Sequence, residues 1–504
     1  MKLGELIPGA AFPAEVSGIS YDSRKVRRGD LFFAVPGFKT KGSLYVPDAL
    51  AAGAVAAAVE DLEDIAPELR EKCVTVRDAR RALAEASARF HGHPSRDLLT
   101  IGVTGTKGKT STTFLVESIL REAGHKVALL GTVLCRHPGR EAAAERTTME
   151  SPELQKFLHE ARGAGATAAV LEVSSHALTL HRVGGCEFDG VVFTNLSEDH
   201  LDFHGTMENY FRAKALLFTD YAREKRGRLT VGAANLDDSW GARLPGLAKT
   251  GMVGFSRRAG SPVDGSSLQA GPGGITGKIR LPGGSTVEVE SALVGNFNIS
   301  NILAAVAVCH GLGVDPEAIA RGIRALTGVS GRLERVPTTL PFQVFVDFAH
   351  MGHALENVLR SLRPVCRGRL VAVFGAGGDR DPARRGQLGR VAARLADHTV
   401  ITSDNPRSEP PEKIMDAVET AWKAELAGLP ELALRRSYER VQDRRKAIER
   451  ALTEAGPGDV ICLAGKGHET GQIVAGKTHP FDDREEAAKV LRRLEGSVDS
   501  PKKT

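Results

Sequence analysis

The chain has 504 residues, 42% of them hydrophobic and 26% charged. That is the balance of a soluble chain of about three domains, and it excludes an intrinsically disordered one. The net charge of +5 (67 basic against 62 acidic residues) is too dilute for a nucleic-acid or membrane-surface binder, and 5% aromatics are too few for base stacking.

Six cysteines (Cys73, Cys135, Cys186, Cys309, Cys366 and Cys462) lie scattered with no C-x-x-C pair. This speaks against a disulfide framework or cysteine zinc site and for a reducing compartment. MKLGELIPGAAFPAEVSG carries acid and Pro where a signal peptide needs an apolar stretch, and no run of roughly 18 apolar residues occurs. A cytoplasmic protein is expected.

Strand-like and helix-like segments alternate, the pattern of α/β domains with largely parallel sheets. Residues 1–95 read as one unit, with strands in SGISYDS and DLFFAV, an Ala-rich helix over 48–57 and a helix over 79–91. HGHPSRD, at 91–97, reads as a linker. In the second unit, 96–330, LLTIGVTG predicts a buried strand, TSTTFLVESILREAG an amphipathic helix, and KVALLG, ATAAVLEV and FDGVVFTNL further strands. Residues 250–294 predict an antiparallel excursion, and NFNISNILAAVAVCHGLG a helix. The third unit, 331–504, offers strands QVFVDF, RLVAVFG, HTVITS and DVICLAG, with helices EKIMDAVETAWKAEL and ERVQDRRKAIERALTEA. The tail SVDSPKKT is expected to fray. The expected fold is α/β throughout: a small N-terminal domain, a central parallel-sheet, P-loop-like domain and a C-terminal Rossmann-like domain.

The strongest chemical signal is Gly105-Thr106-Lys107-Gly108-Lys109-Thr110. Glycines between a buried strand and a helix let backbone N–H groups wrap phosphate oxygens. Lys109 would reach the β/γ-phosphates and Thr110 would ligate Mg²⁺; the alternative is a Gly-rich turn capped by Thr. The spacing departs from the standard phosphate loop, because Val103 stands where its first Gly belongs. Glu172, at the tip of ATAAVLEV, suits a direct Mg²⁺ ligand or one that holds such a ligand, or else a solvated acid. His200, in TNLSEDHLD, stands in a cluster suited to a metal or carboxylate, or to capping a helix. Lys214, in MENYFRAKALLF, reads from spacing as a solvated surface lysine. Gly375-Ala376-Gly377-Gly378 lacks the third Gly of a dinucleotide loop.

The polar clusters DFAH, GAGGDRD, SDNPR and AGKGHE follow strand ends, where open parallel sheets bind ligands. Arg380, Arg407 and Glu469 lie in three of them. Two guanidiniums and a carboxylate would suit a zwitterionic amino acid; unrelated surface charges are the alternative.

Taken together, these motifs resemble the Mur ligase family over essentially the whole chain, and within it the members that add meso-diaminopimelate. YDSRKVRRGDLFFAVPG resembles the uridine-binding domain, with Ser23 toward the nucleotide. GVTGTKGKTST resembles the ATP loop, here Gly105, Thr106, Lys107, Gly108, Lys109, Thr110 and Ser111, with Lys107 where Asn is common. GNFNISNILAA resembles the adenine-contacting segment through Asn298 and Asn301, and SGRLERV and VDFAH carry Arg332, Asp347 and His350, which in the family lie against ATP. Asp404-Asn405-Pro406-Arg407 resembles the signature of the diaminopimelate-adding members, accompanied by GGDRD and Gly465-Lys466-Gly467-His468-Glu469.

The resemblance implies a diaminopimelate pocket of Arg380, Asp404, Asn405, Arg407, Gly465 and Glu469. It implies that Lys214 is carbamylated and helps Thr110, Glu172 and His200 hold Mg²⁺, with Lys109, Lys214 and His200 as the catalytic set. Thr147, Thr148, Ser174 and Arg182 match positions that bind the muramoyl-dipeptide. The three units then become a UDP-substrate domain (1–95), an ATP-binding ligase domain (96–330) and an amino-acid domain (331–504). The implied substrates are UDP-MurNAc-L-Ala-D-Glu, ATP and meso-diaminopimelate, with no nucleic acid, no membrane insertion and a monomeric state. Departures from the pattern are Leu180 before the substrate Arg, Met351-Gly352-His353 in place of TPD, and KGSLY after Gly37. Competing readings are a lysine-adding homologue, which Arg407 argues against, and a folylpolyglutamate-synthase-like ligase, which the DSR and DNPR motifs argue against. A nucleotide-binding regulatory protein is the third.

Overall fold

The computed structural model describes residues 1–498 apart from 11, 38, 39, 223 and 226. The described residues form two compact units: 1–267 with 278–288 and 300–325, and 268–277 with 289–299 and everything from 326 onward. Of the tail expected to fray, Ser497 and Val498 close the helix Asp483–Val498, and 499–504 lie outside the described residues.

The first unit opens with a parallel sheet of Gly18–Ser20, Asp30–Phe33, Ala56–Val59 and Cys73–Thr75, paired in chain order. Its two middle strands are buried along their whole length. Alternate side chains explain this: Leu31, Phe33, Ala56 and Ala58 pack with Leu83 and Ala86 of the helix Ala79–Phe90, whereas Phe32, Ala57 and Val59 pack with Val46 and Ala49 of the helix Val46–Ala51. The Ala-rich run 48–57 is therefore not one helix, as expected from its composition. Gly53 takes φ +108°, ends the helix, and lets the next alanines enter the sheet. The expected linker 91–97 is pinned rather than loose: Pro94 and Ser95 are buried, and the Lys225 ammonium donates to the carbonyls of Ser95 (2.8 Å) and Leu98 (2.7 Å).

A second sheet centres on Leu99–Thr104 between Ala168–Glu172 and Gly190–Phe193, with Val127–Leu130 beyond one and Val231–Asn235 beyond the other, all parallel. Gly251–Ser256 extends it in the same direction, so the antiparallel excursion expected from 250 starts only later, where Val263–Asp264 and then Gln269–Gly271 pair with Gly274–Arg280. An unforeseen hairpin, Leu134–His137 with Arg140–Ala143, continues the other edge. The carboxyl ends of the three central strands thus deliver residues 105–110, 173–176 and 194–202 side by side. The helix Lys109–Glu122, read as amphipathic, is buried at every position from Thr110 to Glu117, because it lies between this sheet and the helix Pro316–Ala325.

The second unit holds a six-stranded sheet in the order Glu334–Val336, Gln343–Asp347, Val460–Ala464, Leu370–Phe374, His398–Ile401, Ser437–Arg440, parallel except for the first pair. Apolar clusters cover both faces. The segment ERVQDRRKAIERALTEA, expected as one helix, begins instead in the edge strand Ser437–Arg440. Its helix is Arg444–Thr453, started by Asp443, whose carboxylate accepts from Arg445 N and Lys446 N. The Phe348, Gly375, Thr402 and Gly465 clusters all leave the sheet at its carboxyl edge, as the strand pattern predicts. Among the described residues no helix is long and apolar enough to cross a membrane, and all six cysteines are free.

Candidate active site

The loop 105–108 is built around two glycines with left-handed backbone, Gly105 (φ +146°) and Gly108 (φ +82°). A Cβ on Gly105 would collide with the Thr194 hydroxyl, and one on Gly108 with the Asn301 side-chain oxygen. The neighbouring strand tip holds the loop: Thr106 N donates to Asn195 O (2.8 Å), Lys107 N to Asn195 Oδ1 (3.0 Å), and Thr194 Oγ1 to Lys107 O (2.6 Å). Lys109 curls back to donate to Gly105 O (2.9 Å) and Thr106 O (3.1 Å). Thr110 and Ser111, the next two residues of the helix, are buried.

Lys214 overturns the reading of a solvated lysine. It is 1% exposed, donates to the same Gly105 carbonyl at 2.8 Å, and lies 4.5 Å from the centre of the Tyr210 ring. Burial, followed by the nearby Lys109 charge, holds its amine well below the usual lysine range. Hydropathy misplaces it because the helix Met207–Leu216 buries Tyr210, Phe211, Ala213 and Ala215 around it.

Glu172 is equally buried, and both its oxygens are engaged: Oε1 accepts from Thr132 N (2.8 Å) and Oε2 from Thr132 Oγ1 (3.0 Å). The same Thr132 hydroxyl reaches Thr147 Oγ1 at 3.1 Å, and Thr148 donates to Glu172 O at 2.8 Å. Ser174 accepts from Ala177 N and starts a short helix. His200, with φ +52°, is half exposed, 3.6 Å from the Asp199 carboxylate, and its ring centre is 4.9 Å from that of His176. Among the described residues, no group of three or more His, Cys, Asp or Glu side chains is arranged to hold a metal ion.

Arg182 pairs with Glu150 (2.8 Å) and donates to Thr148 O (3.4 Å), while its buried Nε finds no partner among the described residues. Glu150 precedes the helix Ser151–Gly163, and Tyr21, two residues before Ser23, donates to Glu153 of that helix at 3.0 Å. Thr147, Thr148, Ser174 and Arg182 are therefore gathered about one helix start, whereas of the segment that carries Ser23 it is Tyr21 that reaches this helix.

In the second unit, Arg380, Asp404, Asn405, Arg407, Gly465 and Glu469 line one cavity of about 200 Å³, together with His350. Three strand tips are sewn together beneath it. Gly378 N donates to Asn405 O (2.9 Å), Arg407 Nη1 to Gly378 O (2.7 Å), and Arg407 N to Ile473 O (3.0 Å). Asn405 Nδ2 donates to Glu469 Oε2 at 2.9 Å. Arg407 itself adopts φ +53°, which a loop fixed at both sides can impose. Arg380 remains exposed, donating weakly to Asp379 O (3.4 Å). Asp347 accepts from Leu333 N (2.7 Å), and burial pushes its carboxyl up to about 6 against the opposing charge of Arg332. Arg332 stands over the Phe348 ring, His350 Nδ1 lies 2.8 Å from Phe348 O, and Asn298 Nδ2 donates to Val294 O (2.8 Å). The expected ATP set is thus divided, with 105–111 and Asn301 in the first unit and Asn298, Arg332, Asp347 and His350 in the second.

Sequence reasoning missed Thr132, Lys466 and Arg385. Arg385 is buried in the cavity wall and pairs with Glu409 at 2.7 Å. The polar cluster GAGGDRD continues into it, so an apolar strand followed by two arginines was the available signal.

A glycine loop with two lysines on one carbonyl in the first unit, and a cavity lined by carboxylates and guanidiniums in the second, are the parts of an α/β enzyme. Residues 103–309 match the Mur ligase middle domain, 331–467 the Mur ligase glutamate ligase domain, and 15–91 the Mur ligase family catalytic domain. The chain is 42% identical over 500 residues to the UDP-N-acetylmuramoyl-L-alanyl-D-glutamate–2,6-diaminopimelate ligase of Geobacter metallireducens, covering 96% of each. To the ligase of that name from Streptomyces coelicolor it is 42% identical over 98% of this chain and 96% of the relative. A solved structure of a ligase of the same name aligns with a TM-score of 0.71 and 31% identity over 98% of this chain and 99% of that one. The chain belongs to the Mur ligase family.

Proposed function

We propose that the protein is an ATP-dependent amide ligase joining meso-2,6-diaminopimelate to UDP-N-acetylmuramoyl-L-alanyl-D-glutamate, in cytoplasmic peptidoglycan precursor synthesis. The observation that carries this reading is the convergence of Arg380, Asp404, Asn405, Arg407, Gly465 and Glu469 on one cavity. Guanidiniums pair with the carboxylates of the amino acid, and Glu469 takes an ammonium.

A free carboxylate is a poor acyl donor, so the D-Glu side chain first attacks the γ-phosphate and becomes an acyl phosphate. The loop N–H groups and Lys109 spread the charge that develops on the transferred phosphoryl group. Lys109 and Lys214 share the Gly105 carbonyl, so that acceptor keeps a donor when Lys109 turns toward phosphate and gives up its bond to Thr106 O. The amine of diaminopimelate then displaces phosphate through a tetrahedral intermediate, leaving a new amide, ADP and phosphate. Arg182, Thr147, Thr148, Ser174 and Ser23 bind and orient the UDP-substrate.

Mg²⁺, when bound, would supply charge neutralisation on the phosphates. The groups that would hold it are the Thr110 hydroxyl, the buried Glu172 carboxylate, now held by Thr132, and Lys214 once CO₂ had converted it to a carbamate, oxygen donors that suit a hard cation. His200 completes the polar rim. The division into a UDP-substrate domain (1–95), an ATP domain (96–330) and an amino-acid domain (331–504) and a monomeric state belong to the same reading.

The test is incubation with UDP-MurNAc-L-Ala-D-Glu, ATP–Mg²⁺ and each of diaminopimelate and lysine, with product masses recorded. A diaminopimelate adduct is expected. ATP hydrolysis without any adduct, or adduct formation with lysine alone, would refute the assignment.

A further inference from the structure

Lys466 lies under the floor of the amino-acid cavity and is 0% exposed. Its ammonium is 3.1 Å from Glu469 Oε2, 3.2 Å from Asn405 Oδ1 and 3.6 Å from Asp404 Oδ1. Asp404 is itself buried, and among the described residues no donor hydrogen-bonds to its Oδ1. A full cation placed where water cannot screen it acts on every charge in the cavity.

Two anions, Asp404 and Glu469, and two cations, Lys466 and Arg407, meet at this end, so their charges cancel. Glu469 Oε2 is taken by Lys466 and by Asn405 Nδ2, which fixes the carboxylate with its other oxygen available to a ligand. The other buried cations nearby, Arg385 and Arg444, are matched by Glu409 at 2.7 Å and Asp483 at 2.6 Å and add no net charge, and Arg380, which also lines the cavity, is exposed and screened by water. A group docking here without leaving a residual charge must itself be neutral overall. The distal end of diaminopimelate, one carboxylate and one ammonium, meets that condition, whereas the bare ammonium of lysine does not.

We propose that Lys466, which touches no substrate, is a specificity-determining residue whose buried charge sets the cavity for a zwitterionic distal end and against a bare ammonium. Selectivity is then shared between attraction, from Arg407 to the extra carboxylate, and repulsion, from a buried cation the smaller competitor leaves uncompensated. The proposal rests on the amino-acid-binding reading of the cavity.

The experiment measures kcat/KM for meso-diaminopimelate and lysine on the full chain and on Lys466→Met, Lys466→Gln, Glu469→Gln, Arg407→Ala and Asp404→Asn. Lys466→Met is expected to lower the diaminopimelate-to-lysine ratio at least about tenfold, through the amino-acid KM, with KM for ATP and the UDP-substrate within about twofold. Lys466→Gln, which retains hydrogen-bond donors but no charge, is expected to behave like Lys466→Met. A wild-type ratio in Lys466→Gln would mean that hydrogen bonding, and not charge, is the function, and would overturn the proposal. An unchanged ratio in Lys466→Met would do the same. If both Lys466 variants fail to fold, Asp404→Asn decides: removing an anion must raise the ratio, and an unchanged or lowered ratio refutes the charge balance. Glu469→Gln and Arg407→Ala separate the two levels, since an unmoved amino-acid KM in both defeats the cavity reading itself.

Discussion

A lysine buried beside another lysine is costly unless it gives up its proton or its identity as a cation. Among the described residues Lys214 has no carboxylate at hydrogen-bond distance; its partner is the Gly105 carbonyl. Burial and the nearby Lys109 charge hold its amine well below the usual range and so favour the neutral form, whose attack on CO₂ would give a carbamate with release of one proton. Falling pH reprotonates the amine and reverses this. Activity should therefore drop in CO₂-depleted buffer and return with bicarbonate. Lys214→Ala should be nearly inactive and partly rescued by formate or acetate. Full turnover by Lys214→Ala without a small carboxylate would end the idea. At this scale the sequence is uneven. Arg380, Asn405, Arg407 and Glu469 are legible because each follows an apolar strand directly. Lys214, Thr132 and Lys466 are not, since their importance comes from burial and from contacts reaching 109, 40 and 61 residues along the chain.

Elements succeed or fail by how tightly their ends are held. The phosphate loop is the clearest case, because Gly108 combines φ +82° with Asn301 packed where a Cβ would go. Gly108→Ala should leave helix content unchanged by circular dichroism and reduce kcat/KM for ATP by about 100-fold or more, on the scale of losing an oriented phosphate contact. Near-normal phosphate release would remove the loop from the mechanism. In the second unit the helix Arg444–Thr453 is fastened by an ion pair with no exposure at either end: Arg444 Nε to Asp483 Oδ1 at 2.7 Å, and Arg444 Nη2 to Ala464 O at 2.9 Å. Removing one partner strands the other charge, so Arg444→Met should cost about 3–5 kcal/mol, and Arg444→Met with Asp483→Leu should recover most of it. Denaturant melts of the single and double variants read this directly; equal losses in both would show that the pair is merely packed volume. The strands around these features follow from their apolar runs. What misled was composition without context: alanines suit a helix in isolation, yet Ala56–Val59 fills a strand whose two faces meet helices and allow only small side chains. Likewise Ser437–Arg440 is polar because it is the sheet's edge, which hides it inside a helical pattern.

Across the whole molecule the two units carry different acid sensitivities. In the first unit, His91 and His204 are each held down to about 4, by burial above all and then by neighbouring cations and histidines. In the second, burial and the Arg332 charge hold His468 down to about 4, while burial pushes Asp347 up to about 6. An unfolded histidine binds its proton near pH 6.5 and these folded ones only near 4, so between those values the unfolded chain holds more protons and stability falls as pH falls. Asp347 works in the opposite sense: from about 6 down to the ordinary aspartate value near 4 the folded state holds the extra proton, and stability rises. The second unit is thus partly compensated and the first is not. Thermal melts between pH 7 and about 4.5 should show Tm falling with pH, and, where two transitions resolve, the one assigned to the first unit by limited proteolysis should fall more steeply. His204, buried at 8% exposure with Nε2 3.0 Å from Ser175 Oγ, contributes about 2 kcal/mol of this acid loss. His204→Gln, which keeps a polar group but cannot titrate, should flatten the first transition's pH slope by close to one proton. A slope unchanged by that substitution, or a Tm that rises on acidification, would show that these histidines are not what makes the protein acid-labile.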